Sequence, residues 1–272
     1  MVTARTLSLA ALTVIELSPV QQVRCAAQAG YSHVGLRLIP ATDDEPRWDA
    51  VGDTPMVREL RVALLDTGVR VLDVEILRLK PQTVVADFAA LLDTAASLGA
   101  RYLLVAGNDP DPIRLTDRFA ALADLAAPLG LSPCIEPMPW TDVRDFLQAA
   151  HIVDAAGRDN AGVLVDAIHF DRGGNHPGQI ASLAPQRLPY AQLCDAPAER
   201  PQDLETLLYQ ARAERLPPGE GGLDLTNLVR ALPQDIALSL EVPMRRLSET
   251  LPADQRARRL RDTTLRWLAS VA

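Results

Sequence analysis

At 272 residues, with 48% hydrophobic and 23% charged side chains, the chain can bury a large core without disulfide staples. Its formal net charge of −8 repels phosphate backbones, and no Lys or Arg cluster forms a groove-facing patch, which argues against a nucleic-acid partner. No apolar run approaches the roughly 20 residues that span a bilayer; no cleavable leader is read in the first residues, and three scattered cysteines fit a reducing compartment, so no membrane partner and a cytoplasmic location are expected.

A short apolar run followed by a longer amphipathic segment recurs along the chain. The first β-rich run is 7–9. Ser18-Pro19 then supplies an N-cap and a proline at the first helical position, and Gly30 closes that helix. Runs at 33–38 and 69–77 follow, then an Ala/Leu-rich helix over 84–98 that Gly99 ends. The run 101–106 precedes a helix over 117–127, closed by Pro128 and Gly130, and the run 131–136 precedes a helix over 142–155. Runs at 162–166 and 189–193 come next. The stretch 195–224 holds Pro197, Pro201, Pro217, Pro218, Gly219, Gly221 and Gly222, and reads as a long active-site loop with a helix near 203–213. A short helix over 226–232, the run 235–241 and a last helix over 253–270 complete the chain. Eight β runs alternating with helices predict parallel βα units closed into a single (β/α)₈ TIM barrel, one domain over 1–272. No GxGxxG follows the first run, which argues against an open dinucleotide-binding sheet.

The later runs share one feature. Each delivers a polar group at or near its C-terminal end: Glu136, Asp166, Gln192 with Asp195, and Glu241. In a parallel barrel these ends open on one face, where active sites are built. Three carboxylates converging there repel one another, and a divalent cation resolves the conflict. One acidic residue at a strand end can be a helix cap; three among the last four strands point to a metal on Glu136, Asp166 and Glu241. Cys134 and Cys194 lie inside apolar runs and read as buried small hydrophobes.

Ile135-Glu136-Pro137, Asp166-x-x-His169, Gln192-Leu193-Cys194-Asp195, Pro218-Gly219-Glu220-Gly221 and Leu240-Glu241 resemble the xylose-isomerase-like barrel superfamily of sugar isomerases, epimerases and dehydratases. The resemblance covers nearly the whole chain. It implies metal ligands at Glu136, Asp166, Gln192 and Glu241, with Gln192 where many members carry histidine. The hydroxypyruvate-isomerase-like branch also has glutamine there. An all-oxygen donor set favours Mn²⁺ or Mg²⁺. It further implies Glu136 and Glu241 as the proton-transferring pair and His169 as a contact to a substrate oxygen. Glu75, Trp140, Arg172 and Arg200 are weaker substrate-binding candidates at the same end, Arg215 lies on a loop over the mouth, and Glu220 is a candidate for ordering its loop. Arginines there suit a carboxylate or phosphate. Strand two reads Val34-Gly35-Leu36-Arg37 where sugar isomerases often place a glutamate, which sets the chain apart from the hydroxypyruvate branch.

The expected activity is isomerisation or epimerisation of a hydroxy-carbonyl, sugar-like substrate through a metal-stabilised enediolate. A dehydratase of the inosose or dehydroshikimate type shares the site and differs in expelling water. A non-catalytic sugar-binding barrel is the non-enzymatic alternative, which retained ligands argue against. An abasic-site endonuclease of the superfamily needs more histidines than the four present. Barrels of this kind often form dimers or tetramers.

Overall fold

A computed structural model describes residues 5–42 and 45–271; residues 1–4, where the leader was sought, lie outside it. Nine parallel strands form a nearly closed ring wrapped by helices: β1 (Leu7–Leu9), β2 (His33–Arg37), β3 (Arg70–Leu79), β4 (Tyr102–Gly107), β5 (Ser132–Glu136), β6 (Gly162–Val163), β7 (Val165–Asp166), β8 (Tyr190–Leu193) and β9 (Ala237–Leu240). Their order is β6-β5-β4-β3-β2-β1-β9-β8-β7. β6 and β7 are two halves of the run expected at 162–166. β6 pairs with β5 and β7 with β8. Between them the Leu164 N–H donates to the Ile135 carbonyl at 3.0 Å. The ring therefore closes through one residue, and the chain is a single α/β TIM barrel.

Local chemistry sets the helix ends. Ser18 caps helix Pro19–Ala29 in a reciprocal capping box with Gln21, and Gly30 ends it in the left-handed region at φ +83°. Asp111-Pro112 starts helix Pro112–Ala126 five residues before the expected 117, because the Asp111 carboxylate accepts from two backbone N–H groups. Helix Pro55–Thr67 was not anticipated. Its signals, Thr54 as cap, Pro55 at the first position and Gly68 as stop, are nevertheless in the sequence. The helix expected over 142–155 starts at Phe146, with Asp145 as its cap. The long 195–224 stretch does contain a helix, Leu204–Ala213.

Most buried apolar side chains lie between the strands and the helices. A smaller group fills the barrel interior, including Leu72, Ile76, Leu104, Cys134, Leu164 and Tyr190. All three cysteines are buried and free. Among the described residues no helix is long and apolar enough to cross a membrane. Register places the polar strand ends side by side: Arg37 beside Glu75, Ala106 beside Glu136, Asp166 beside Gln192, and Gln192 beside Ser239.

Candidate metal centre

Glu136, Asp166, Gln192 and Glu241 are all buried at the C-terminal end of the ring. Asp166 ends β7 and caps the short helix Ala167–Arg172: its Oδ1 accepts the His169 backbone N–H at 3.0 Å. That cap turns the imidazole back toward the carboxylates. His169 Nε2 lies 3.8 Å from Glu136 Oε1 and Nδ1 lies 3.9 Å from Asp166 Oδ1. Single atoms of Glu136, Asp166 and His169 fall within 4.8 Å of one another, close enough to share one ion. On the other side the Gln192 amide N–H donates to Glu241 Oε1 at 3.1 Å.

Arg215 joins the two halves. Its guanidinium donates to Asp166 Oδ2 at 2.6 Å and sits 2.8 Å from Glu241 Oε2. Further bonds reach the Ala211 and Glu241 carbonyls. Sequence reading placed Arg215 on a loop over the mouth; the structure buries it to 2% exposure. Two isolated antiparallel bridges, Asp195 with Leu216 and Glu214 with Met244, fix its backbone. Asp195 does the loop work itself. Its carboxylate accepts from the N–H groups of Ala196, Gly219, Gly221 and Leu223. Glu220 points outward to Arg259 at 3.5 Å.

Electrostatics follow from this arrangement. Burial raises Glu136 well above the ordinary carboxylate range, and the neighbouring Asp166 and Glu241 charges push it further. Burial also pushes Glu241 up to about 8, against the pull of Arg215. Burial works to raise Asp166 as well, but Arg215 and His169 outweigh it and hold this acid low. His169 is driven down to about 4 by burial, so its imidazole is neutral near pH 7. With all three acids ionised, one guanidinium leaves two negative charges, which a divalent ion cancels. Two buried acceptors, Glu136 Oε1 and Gln192 Oε1, have no hydrogen-bond donor. Gln192 donates through its nitrogen, so its oxygen is the free end. Orphaned oxygens beside excess negative charge fit a hard cation.

A cavity of about 640 Å³ opens onto this cluster, its wall including Glu136, His169, Glu241, Arg215 and Trp140. The Trp140 ring meets His169 edge-on at 4.9 Å. The other candidates lie elsewhere. Glu75 is fully buried and bound to Arg37 at 2.8 Å. Arg172 pairs with Asp171 at 2.5 Å and donates to Gln210 and the Pro197 carbonyl; Arg200 pairs with the same Asp171 at 3.2 Å. Neither arginine lines the cavity.

Comparison with known proteins gives the family of the fold. An inosose isomerase of Bacillus velezensis is 24% identical over 159 residues, 55% of this chain and 55% of that protein. A 3-dehydroshikimate dehydratase of Pseudomonas aeruginosa is 31% identical over 143 residues, 50% of this chain and 22% of that protein. The matches thus span about half the length of the isomerase and a fifth of the dehydratase. A crystal structure of IOLI protein with a binding zinc atom superposes with a TM-score of 0.81 at 19% identity, covering 98% of this chain and 99% of that one. D-allulose 3-epimerase from Methylomonas sp., in complex with D-allulose, gives 0.69 at 19% identity, covering 98% and 97%. The family described as xylose isomerase-like TIM barrel matches residues 23–270. With nearly the full barrel matched, the chain belongs to the xylose isomerase-like TIM barrel family.

Proposed function

We propose that this protein is a divalent-metal-dependent enzyme that moves a proton between carbons of a hydroxy-carbonyl, sugar-like substrate, as an isomerase or epimerase. The observation that carries the reading is the buried oxygen cluster itself, with Glu136 Oε1 unpartnered on the cavity wall and Gln192 Oε1 unpartnered within the same cluster. Glu136, Asp166, Gln192 and Glu241 would hold the ion. Their oxygen donors favour Mn²⁺ or Mg²⁺, and the zinc in the IOLI structure supports a divalent ion in this fold. When bound, the ion supplies Lewis-acid polarisation of adjacent carbonyl and hydroxyl oxygens.

The chain's own residues do the rest. Glu136 and Glu241 are carboxylates from opposite parts of the ring, β5 and the end of β9. One takes the proton from carbon and the other returns it. His169, neutral near pH 7, donates an N–H to the substrate oxygen that gains negative charge. Trp140 fixes the His169 ring and walls the pocket against water. Arg215 holds Asp166 and Glu241 in place without leaving the barrel. The inosose isomerase and D-allulose 3-epimerase relatives support proton-transfer chemistry. A dehydratase is the second reading, favoured by the 3-dehydroshikimate dehydratase relative.

Metal analysis tests the reading. Wild-type protein incubated with Mn²⁺ or Mg²⁺ should retain about one ion per chain, and Glu136→Gln and Glu241→Gln should each weaken that binding at least tenfold. A wild type that keeps no stoichiometric ion overturns it. Products formed in deuterated water then separate isomerase, with solvent deuterium retained at carbon, from dehydratase, with loss of water.

A further inference from the structure

Six arginines line the cavity wall, and three of them are already matched by carboxylates. Arg37 lies 2.6 Å from Glu45 and 2.8 Å from Glu75. Arg215 holds Asp166 and Glu241, and Arg256 is paired with Glu16. Arg78 and Arg212 are different. Arg78 donates to two neutral acceptors, the Asn108 side-chain oxygen at 3.1 Å and the Ala41 carbonyl at 3.4 Å. Arg212 lies over the Trp140 ring with its guanidinium carbon 5.6 Å from the ring centre. Among the described residues neither has a carboxylate within ion-pair distance; Arg245 on this wall shares that state and, like Arg212, is exposed, but it does not line the recess that Arg78 and Arg212 share.

Arg78 and Arg212 are close neighbours. Both line the main cavity and both line a shallower recess beside it, together with Asn108, Lys80 and one carboxylate, Asp142. Burial pulls Arg78 down, and the Arg212 and Arg37 charges add to that pull. The pair also flanks the reacting end: Arg212 acts electrostatically on His169 and Arg78 feels Glu136. The buried Trp140 indole N–H beside them has no acceptor. Two like charges whose direct hydrogen-bond and stacking partners are neutral cost free energy, only partly offset by the more distant Glu136, Glu45 and Asp142 carboxylates. An anion from outside repays that cost, because guanidinium pairs with oxyanions through two parallel bonds.

We propose that Arg78 and Arg212 form an anion subsite, and that the substrate carries a carboxylate or phosphoryl group held there while its hydroxy-carbonyl end meets Glu136 and Glu241. The position of the reacting carbons rests on the function proposed above; the anion subsite itself does not require the ion.

Three cyclic polyols of similar size serve as probes: myo-inositol, which is neutral; quinate, which adds a carboxylate; and inositol 1-phosphate. Calorimetric titration is done on protein loaded with Mn²⁺ and again in EDTA. At least one anionic probe should bind tenfold or more tightly than myo-inositol in both conditions, and its advantage should shrink with added salt. The tighter of the two anions identifies the group. Arg78→Gln and Arg212→Gln, checked for wild-type circular dichroism and Tm, should each reduce the advantage several-fold, whereas Arg24→Gln on the exposed surface should not. Equal or absent binding of the three probes, or folded variants that keep the full preference, overturns the proposal. Retained anion preference in a protein that binds no Mn²⁺ would sink the metal reading and leave this one standing.

Discussion

Replacing Arg215 with methionine should destabilise the metal-free protein severely. Methionine fills much of the volume but supplies no charge, so Asp166 loses a 2.6 Å partner and Glu241 a 2.8 Å partner, both buried. Removing one partner from a buried ion pair costs about 3–5 kcal/mol, because the remaining charge stays desolvated. Part of that cost can be relieved by proton uptake. Arg215 is the main influence holding Asp166 low against its burial, so without it Asp166 takes up a proton more readily and the deficit shrinks as pH falls; Glu241, at about 8 with Arg215 present, is protonated in both proteins at pH 6. For a chain of 272 residues, whose unfolding entropy is about 0.6 kcal/mol/K, a loss of about 4 kcal/mol lowers Tm by about 7 °C. Arg215→Lys keeps a charge but presents one compact head to two carboxylates, so it should fall between wild type and methionine. Thermal and urea unfolding in EDTA at pH 8 and pH 6 measure these gaps; excess Mn²⁺ should narrow them, since two positive charges replace one. A methionine variant within about 1 kcal/mol of wild type in EDTA at pH 8 would refute the assignment of Arg215 as the counter-charge that lets these carboxylates stay buried.

Three other outcomes follow from the same geometry. Asp195→Ala strips the acceptor from four backbone N–H groups and should cost about 3 kcal/mol in urea unfolding, with faster amide exchange at Gly219, Gly221 and Leu223; Asp195→Asn, keeping one oxygen, should cost less. Gly35→Ala would set a methyl 2.9 Å from Asp73 Oδ1 and 3.1 Å from Glu75 Oε1, so a loss of about 1–3 kcal/mol is expected, and unchanged stability would mean that β3 moves freely. His33 is pushed down to about 4 by burial and by the charges of Arg70 and Arg101. The unfolded chain binds that proton near 6.5 and the folded chain only near 4, so stability present above pH 6.5 is lost as pH falls through that window. The loss is on the order of 2 kcal/mol and should be smaller in His33→Gln, read by urea midpoints between pH 7 and 4.

Which parts were legible follows from the range over which each signal acts. The barrel was readable because each βα unit announces itself locally, through an apolar run and a Gly or Pro stop, and parallel pairing then has little freedom. Glu136, Asp166, Gln192 and Glu241 stand out for the same reason: a polar residue closing an apolar strand is a local event, and closure of the ring brings the four ends together. Helix Pro55–Thr67 went unread although its cap and stop were present, because the polar stretch before it hid where the run began. Arg172 and Arg200 read as substrate-binding candidates on loops over the mouth, since nothing nearby in sequence says that both turn to Asp171. Arg215 is the extreme case. Glu214-Arg215-Leu216 has no local signature, and its burial depends on bridges to residues 195 and 244. Those bridges form only once the barrel is closed, because Asp195 follows β8 and Met244 follows β9. A charge that enters a core by such long-range ties is tolerated only where an opposite charge already waits. The carboxylates that are legible at the strand ends are therefore the reason why the illegible arginine lies between them.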